Sequence, residues 1–392
     1  MKILIITRTI AEFANQQGKI LEIAKLGVNL TVVSPARWAG RESELQRVKP
    51  DGYEFLVSRC WFSGTASVRL GNHLHFYPRI SSIIGREKWD FVHIDEEPFN
   101  LATYHALRTC RSHRVRAIFT TWQNLMKRYP PPFNLFERYV YENAAGAIAG
   151  NREGLNLLRR RGFHALASHI PQLGVDPIRF RKQDASGLRR RLGARDVFVV
   201  GFVGRLSPEK GVDTLIKALA LLPGGCLLVL VGNGPDRARL KSVAEAFGVS
   251  ARVQWVPWVD SREVVEYINA FDVLALPSRT RPNIKEQFGR VLVEAMSCET
   301  CVVGSDSGEI PNVIGDAGLI FREGDERELA HRLHQLMDAP AVRESLRHRG
   351  RQRVLDHFTY AKIATDTVDF YRRICSGRDE ATDAVNAVAA ER

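Results

Sequence analysis

The chain contains 392 residues, of which 45% are hydrophobic and 26% are charged, and its formal net charge is +12. This length is too great for one ordinary hydrophobic core and predicts two domains, while the composition is that of an ordinary soluble globular protein. No apolar run reaches the roughly 18 residues that span a bilayer, which excludes a membrane-spanning chain.

The N-terminal half alternates short apolar runs with helical patterns. The N-terminus MKILIITRTI fits a strand and a polar loop rather than a signal peptide, so we expect a cytoplasmic protein. Strands are predicted at 2–6, 31–34, 91–94, 117–121 and 147–149, with helices such as 16–26 and 152–161 between them. This alternation predicts a parallel sheet covered on both faces.

The C-terminal half repeats the pattern after a polar stretch at 179–195, where we place a linker. Its predicted strands are 198–203, 227–231, 253–256, 273–276, 301–303 and 319–321, and helical segments follow at 326–338, 341–355 and 360–374. Cys298 and Cys301 form a lone CxxC, and since no second Cys/His pair accompanies it, we predict packing at a helix end and the next strand rather than a zinc site.

The segment GFVGRLSPEKG, residues 201–211, connects an apolar strand to a helical pattern at 212–220. Gly204 lets the backbone approach a ligand closely, Arg205 offers a planar fork to a diphosphate, and Lys210 offers a mobile point charge. The glycine spacings of a Walker loop and of a dinucleotide fingerprint are both missing. The segment therefore predicts another kind of phosphate-binding turn.

The segment EQFGRVLVE, residues 286–294, places Glu286 just before a predicted helix at 289–296 and Glu294 more than a turn inside it. The main-chain N–H groups of Phe288, Gly289 and Arg290 are unpaired at such a helix start, and the helix dipole favours an anion there. A ligand could place phosphate on the amides and hydroxyl groups on the carboxylates.

These two segments, with VGNGP at 231–235, GSDSGEIPNVIGDAGLIF at 304–321 and IPQLGVD at 170–176, make the chain similar to the glycosyltransferases of family 4, the group 1 glycosyl transferases. The resemblance implies the α/β GT-B fold, in which two Rossmann-like, doubly wound parallel-sheet domains face a central cleft. We place the acceptor-side domain at 1–178, the linker at 179–196 and the donor domain at 197–358. A helix at 359–375 crosses back to the N-terminal domain, and 376–392 is a disordered tail.

The resemblance also implies residue roles. Arg205 and Lys210 would bind the donor diphosphate, with Gly204 beside them, and Glu294 the ribose hydroxyls. Glu286 would contact the transferred sugar, assisted by amides around Phe288 to Arg290, and the nucleobase would lie near residues 255–259. The implied reaction is same-face attack with retention and without an established enzymatic nucleophile. Arg205, Lys210 and a helix N-terminus would stabilise the leaving diphosphate electrostatically, and no cofactor is expected.

The N-terminal half departs from the family at its first loop. Many members carry paired glycines there, whereas this chain reads TRTIAEFANQQG and keeps Gly18 alone. Either Asn15, Gln16 or Gln17 supplies side-chain donors in their place, or the loop shapes the acceptor pocket.

A second departure is HIDEEPFN, residues 93–100, where Asp95 occupies the place at which relatives often have histidine. Asp95 or Glu96 could orient the transferred sugar or accept a proton from the acceptor, which would make Asp95 catalytic. An acidic cluster favoured by a helix dipole explains the residues equally well. The Asp-x-Glu spacing could hold a divalent ion, but no clear Asp-x-Asp follows an apolar strand, so we expect a metal-independent enzyme.

The segment TTWQN, residues 120–124, ends another predicted strand. Trp122 could stack on a sugar ring while Gln123 and Asn124 bind hydroxyls, although an ordinary core role for Trp122 is equally compatible.

Basic residues are concentrated in the first half, since residues 1–175 contain 24 Lys and Arg against 14 Asp and Glu. Two clusters stand out, one of Arg108, Arg111, Arg114 and Arg116 and the other of Arg159, Arg160 and Arg161. They suggest attraction to an anionic membrane surface or a phosphorylated acceptor. No nucleic-acid module accompanies them, so we do not expect a nucleic-acid partner.

Together these features predict a retaining, hexosyltransferase-like enzyme that moves a sugar from a nucleoside diphosphate-sugar to a hydroxyl of a carbohydrate or glycolipid. Cell-envelope polysaccharide or glycolipid synthesis on the cytoplasmic membrane face is the expected setting. Two alternatives are another GT-B activity, namely a nucleotide-sugar epimerase or a sugar phosphorylase, and a non-catalytic relative that binds anionic surfaces.

Overall fold

The computed structural model describes residues 1–9, 17–38, 41–42, 52–63, 71–260 and 262–376. The chain divides into two compact units: unit 1 is Met1–Gln172 with Tyr360–Arg392, and unit 2 is Leu173–Thr359. Residues 179–196, which we predicted to be a linker, lie inside unit 2, whereas most of the predicted tail, 377–392, lies outside the described residues. None of the described helices is long and apolar enough to cross a membrane.

Unit 1 is built on a sheet to which the described residues contribute seven parallel strands, in the order β5-β2-β1-β6-β7-β8-β9. The strands are β1 (Lys2–Thr7), β2 (Asn29–Pro35), β5 (Glu54–Ser58), β6 (Phe91–Asp95), β7 (Ala117–Thr121), β8 (Gly146–Ala149) and β9 (Leu166–His169), and a small hairpin joins β3 (Arg37–Trp38) to β4 (Arg41–Glu42). The helices are α1 (Gln17–Lys25), α2 (Gly71–Leu74), α3 (Ile80–Gly85), α4 (Leu101–Ser112), α5 (Phe133–Asn143) and α6 (Arg152–Arg160), followed much later in the chain by α15 (Tyr360–Ser376).

Alternating side chains of β1 enter two different cores. Leu4 and Ile6 pack with the residues of α3 and α4, whereas Ile3 and Ile5 pack with those of α1 and α15. A parallel sheet buried on both faces requires the continuous apolar run that β1 has. The side chain missing at Gly18 is what lets α1 approach α15, because a Cβ there would lie 2.5 Å from the ring of Tyr360.

The described residues of unit 2 form six parallel strands in the order β12-β11-β10-β13-β14-β15. The strands are β10 (Phe198–Val203), β11 (Cys226–Val231), β12 (Val253–Val256), β13 (Val273–Leu276), β14 (Cys301–Ser305) and β15 (Leu319–Phe321). Its described helices are α7 (Ser186–Arg191), α8 (Val212–Ala220), α9 (Arg237–Ala246), α10 (Glu263–Ala270), α11 (Arg290–Ser297), α12 (Ile310–Ile314), α13 (Glu326–Asp338) and α14 (Pro340–His357). Cys298 and Cys301 are buried thiols at the end of α11 and the start of β14.

In each sheet the strand order reverses at one place. The chain leaves β10 towards β11 and β12, then returns to the other side of β10 with β13, and in unit 1 the same reversal separates β1 from β6. Loops at the carboxyl ends of the two strands that flank such a switch point diverge and leave a crevice, where open α/β sheets bind ligands. Ligand-binding crevices are therefore expected at the loops after β10 and β13 in unit 2 and after β1 and β6 in unit 1.

Candidate active site

The loops after β10 and β13 are held together in unit 2. Gly211 has a φ of 63°, and a Cβ at this position would lie 2.0 Å from the carbonyl oxygen of Pro277. The main-chain N–H of Arg279 donates to the carbonyl of Glu209 at 2.7 Å. Glycine is required at 211 because any side chain would separate the two loops.

The contact between these loops brings Lys210 to Glu286. The Lys210 Nζ lies 2.6 Å from Oε2 of Glu286, and the hydroxyl of Ser278 donates to the same oxygen at 2.8 Å. Burial alone would raise the pKa of Glu286, but the charge of Lys210, the Ser278 hydroxyl and the Gly289 amide together hold it below its usual value. Glu286 is therefore an ionised carboxylate with a fixed orientation.

A cavity of about 230 Å³ opens beside these side chains. It is lined by Glu209, Lys210, Ser278, Arg279, Ile284, Lys285, Glu286 and Gln287. Every lining residue except Ile284 is polar or charged, so the cavity offers hydrogen-bonding and charged groups to a hydroxyl-rich or anionic ligand.

The loop after β14 fixes the main chain of Glu286. Gly308 has a φ of 59°, and a Cβ on it would lie 1.9 Å from the carbonyl oxygen of Glu286. The N–H of Glu309 donates to that same oxygen at 3.1 Å. Part of the GSDSGEIPNVIGDAGLIF segment thus holds the carboxylate in position.

Helix α11 begins at the switch point and carries the second carboxylate. Gly289, with a φ of 82°, turns the chain into the helix, and Phe288 is buried against the ring of Phe358 with ring centres 5.8 Å apart. Glu294 is 9% exposed and forms an ion pair with Arg290, one turn earlier, at 2.9 Å. Burial raises the pKa of Glu294 despite the opposing charges of Arg290 and Arg179.

The loops after β10 and β11 also touch. A Cβ on Gly232, which has a φ of 141°, would lie 1.9 Å from the carbonyl oxygen of Gly204, and the N–H of Leu206 donates to the carbonyl of Asn233 at 2.9 Å. Arg205 lies in this turn with an exposed side chain. Its guanidinium can therefore reach an anion without first breaking a buried contact.

In unit 1, Asp95 ends β6 at the other switch point. Its carboxylate accepts hydrogen bonds from the hydroxyls of Thr7 at 2.9 Å and Thr9 at 3.4 Å. Burial opposes ionisation, but Lys19, His93 and neighbouring threonine hydroxyls hold the pKa of Asp95 below its usual value. Lys19 is itself buried and donates to the side chain of Gln172 at 2.6 Å.

Glu96 points into a buried ion pair. Its carboxylate lies 3.1 Å from Nε of Arg8 and 3.3 Å from Nε2 of His75, and its side chain is 1% exposed. The Arg8 guanidinium also lies over the ring of Trp38 at 4.8 Å. These contacts give the Glu96 carboxylate a structural role in the packing of unit 1.

Glu97 links the loops after β6 and β7. Its carboxylate accepts from the Thr121 hydroxyl at 2.7 Å and from the main-chain N–H of Trp122 at 2.8 Å, and burial raises its pKa to about 7. The Trp122 ring packs against Gly150, where a Cβ would approach it to 2.7 Å, and the Gln123 amide donates to the hydroxyl of Tyr129. Asn15 and Gln16 lie outside the described residues.

His93 lies two residues before Asp95 and is wholly buried. Its ring nitrogens contact the Tyr371 hydroxyl at 2.6 Å and the Thr120 hydroxyl at 2.7 Å, and burial lowers its pKa to about 4. Tyr371 belongs to α15, so His93 ties that helix to the sheet.

Comparison with known proteins gives these residues a context. The family model for glycosyl transferases group 1 matches residues 188–353, and the model for the glycosyl transferase 4-like domain matches residues 17–171. The D-inositol 3-phosphate glycosyltransferase of Stackebrandtia nassauensis is 35% identical over 349 residues, which cover 83% of this chain and 70% of that protein. This chain belongs to the group 1 glycosyltransferases.

Other similarities of this group 1 glycosyltransferase are less extensive in sequence. The GDP-mannose-dependent monoacylated alpha-(1-6)-phosphatidylinositol monomannoside mannosyltransferase of Corynebacterium glutamicum is 33% identical over 49% of this chain, and the match spans about half of that relative, 52%. The crystal structure of Anabaena HepE in complex with UDP matches with a TM-score of 0.75 at 21% identity and covers 95% of this chain and 100% of that one. The prediction of the GT-B fold with two Rossmann-like domains is confirmed.

The sequence named most of the side chains at the unit 2 switch point of this glycosyltransferase. Lys210 and Glu286 contact each other there, and Glu294 follows on α11. Ser278 was missed, and the available signal was its position two residues after the apolar strand that ends at 276. Glu97 lies in the segment HIDEEPFN, which we singled out for its acidic cluster, but it was not predicted as a site residue.

Proposed function

We propose that this glycosyltransferase moves a sugar from a nucleoside diphosphate-sugar to an acceptor hydroxyl with retention of anomeric configuration. The observation that carries the proposal is the group of charged side chains at the unit 2 switch point, where Lys210 and Glu286 lie 2.6 Å apart at the base of α11. The crystallised relative that contains UDP supports a nucleotide donor.

The roles follow from charge and hydrogen bonding. As the bond to the sugar breaks, negative charge increases on the leaving diphosphate, and the cations Arg205 and Lys210 stabilise it more in the transition state than in the ground state. Glu294 accepts from the ribose hydroxyls, and Glu286 accepts from a hydroxyl of the transferred sugar. Both are carboxylates that can orient a polyol without entering a covalent step.

A panel of nucleoside diphosphate-sugars tests the proposal most directly. Thermal unfolding is measured with UDP-, GDP- and ADP-sugars, since a ligand at 100 times its dissociation constant adds about 2.7 kcal/mol to the free energy of unfolding. The nucleoside diphosphate-sugar that stabilises the protein is then incubated with the protein and candidate acceptors. No stabilisation by any donor, and no transfer or hydrolysis above background, would favour a non-catalytic relative instead.

Stereochemistry and metal dependence form a separate prediction. The product should keep the anomeric configuration of the donor, as NMR of the anomeric proton shows, and transfer should persist in a chelator because Arg205 and Lys210 supply the positive charge. An inverted product, or transfer restored only by added manganese or magnesium, would contradict this assignment.

The acceptor is proposed to be a carbohydrate or glycolipid that carries negative charge. The relatives' names include an inositol 3-phosphate and a phosphatidylinositol mannoside, and both contain phosphate. The basic first half of this chain would attract such an acceptor. Asp95, Trp122 and Gln123 stay candidates for the acceptor pocket, in cell-envelope polysaccharide or glycolipid synthesis on the cytoplasmic membrane face.

Membrane association is proposed to use the exposed arginines of unit 1. Arg108, Arg111 and Arg114 are exposed at or just after the end of α4, as is Arg160 at the end of α6. Three neighbours in sequence do not share this role. Arg159 donates to the carbonyls of Phe163 and Ala165, Arg116 donates to those of Ile374 and Cys375, and Arg161 pairs with Glu137 and is 12% exposed.

The protein should therefore sediment with vesicles of anionic lipid and much less with neutral vesicles. Each basic residue near such a surface contributes about 1 kcal/mol, screened within about 8 Å at physiological salt, so binding should fall as salt rises. Charge reversal of Arg108, Arg111 and Arg114 should remove most of the binding. Reversal of the exposed Lys241, Arg262 and Arg327 in unit 2 is the matched control.

Absence of sedimentation with anionic vesicles at low salt would contradict the membrane proposal. So would equal losses in the unit 1 and unit 2 variants. The basic residues would then serve a soluble anionic acceptor.

A further inference from the structure

We propose that Ser278 is a positioning residue, which holds Glu286 in place for the transferred sugar after the donor diphosphate has drawn Lys210 away. The inference rests on the proposed function and assigns a role to a residue that the sequence motifs did not include. It follows from the way in which Lys210 and Ser278 share one carboxylate oxygen.

Both donors point to Oε2 of Glu286. Lys210 lies at 2.6 Å and Ser278 at 2.8 Å, and a carboxylate oxygen offers about two lone-pair positions. Two donors therefore fill Oε2. A sugar hydroxyl can reach this oxygen only when one of the two donors has left it.

Lys210 is the donor that is able to leave. Its side chain is 27% exposed and ends a flexible four-carbon stem, and its charge is attracted more strongly by a diphosphate than by one carboxylate. Ser278 is 2% exposed, and its carbonyl accepts from the Ser305 hydroxyl at 2.5 Å. A short side chain on a buried, hydrogen-bonded main chain cannot follow the ligand.

This difference orders the events in the site. In the empty protein Lys210 neutralises Glu286, and the nucleoside diphosphate then competes for Lys210 and opens a position on Oε2. Ser278, together with the Gly289 amide, keeps the carboxylate oriented at that moment, so that a correctly placed sugar hydroxyl replaces the lysine. Recognition of the sugar through Oε2 thereby depends on prior binding of the diphosphate.

Nucleotide affinity and turnover should therefore respond differently to loss of the Ser278 hydroxyl. Loss of the Ser278 hydroxyl should leave binding of a bare nucleoside diphosphate within about twofold of wild type, because this ligand engages Lys210 and Glu294. It should reduce turnover at least tenfold, since a hydrogen bond to a charged group contributes about 1.5–3 kcal/mol and 1.4 kcal/mol is a factor of ten. Discrimination between donors that differ at one sugar hydroxyl should fall with turnover.

The experiment compares Ser278→Ala, Ser278→Thr and the control Ser297→Ala. Ser297 is a buried serine of the same unit whose hydroxyl donates to the carbonyl of Phe180 at 2.6 Å, away from Glu286. Calorimetry gives the affinities for UDP, GDP and ADP, and initial rates with UDP-glucose, UDP-galactose and GDP-mannose give kcat, KM and the ratios between donors. Ser278→Thr keeps the hydroxyl and should recover most of the turnover, whereas Ser297→Ala should change thermal stability but not the donor ratios.

A second substitution separates positioning from general damage. In a Glu286→Gln background, Ser278→Ala should cause little further loss, because the carboxylate that it orients is already gone. Wild-type turnover and donor ratios in Ser278→Ala would overturn the inference. Equal losses of nucleotide affinity and turnover, with the fall in thermal stability seen in Ser297→Ala, would also overturn it. If the wild-type protein neither binds nor uses any of these donors, the proposed function itself has failed.

Discussion

Replacing Lys210 by Ala is expected to reduce sugar transfer about 100- to 1,000-fold while leaving the protein folded. This is the typical effect of removing one group that stabilises charge developing in a transition state. The side chain lies on a loop and is 27% exposed, so its loss leaves no large cavity. The rate should fall with every donor, because in the proposed mechanism Lys210 stabilises the diphosphate rather than the sugar.

The same substitution at Lys241, an exposed lysine on α9, is the matched control and should leave transfer unchanged. Adding Arg205→Ala to Lys210→Ala should reduce transfer further, since the two cations come from opposite ends of one loop. Initial rates at saturating donor measure the loss of transfer in each variant, and circular dichroism checks that each variant is folded. Transfer at the wild-type rate in the double variant would remove both residues from the mechanism.

The central strands of both sheets could be predicted because each is buried on both faces and reads as a continuous apolar run. The strands β5 and β9 were not predicted. They lie at the two edges of the unit 1 sheet and contain polar residues, as the segments EFLVS and LASH show. The edge strands β5 and β9 are partly exposed to solvent, so fewer of their residues are apolar and the sequence pattern that predicts a strand is weaker.

The candidate site was predicted as a set of residues but not as a set of contacts. Lys210 and Glu286 are 76 positions apart, and nothing in either segment states that one donates to the other. The contact depends on Gly211 meeting Pro277, which only the packed loops reveal. Ser278 was overlooked because a single serine after a strand is common and carries no spacing of its own.

Sequence neighbours also proved a poor guide to shared surfaces. Arg159, Arg160 and Arg161 are consecutive, yet they end a helix, where consecutive residues point in different directions. Arg161 turns towards Glu137, while Arg159 and Arg160 stay exposed. A charge count over the first half could predict an attraction to anions but not which side chains are available for it.

Replacing Glu294 by Gln should weaken binding of a bare nucleoside diphosphate about 10- to 100-fold. A hydrogen bond to a charged group contributes about 1.5–3 kcal/mol, and the substitution keeps the shape while removing the charge that we propose faces the ribose. Glu286→Gln should differ, with the affinity for the bare nucleotide unchanged or higher. In this variant Lys210 no longer has to break an ion pair with residue 286 before it contacts the diphosphate. Glu245→Gln, on the exposed face of α9, is the control.

The pH dependence of nucleotide affinity tests the Glu294→Gln prediction more sharply. Burial raises the pKa of Glu294, so the carboxylate is present above that raised pKa and is lost as the pH falls through it. Wild-type affinity should therefore decline on acidification before an ordinary glutamate would protonate, and Glu294→Gln should lack that part of the decline. Titrating both proteins with the same nucleotide cancels the ionisation of the ligand itself. Parallel pH profiles, or equal losses of nucleotide affinity in the Glu294 and Glu286 variants, would show that Glu294 does not hold the ribose.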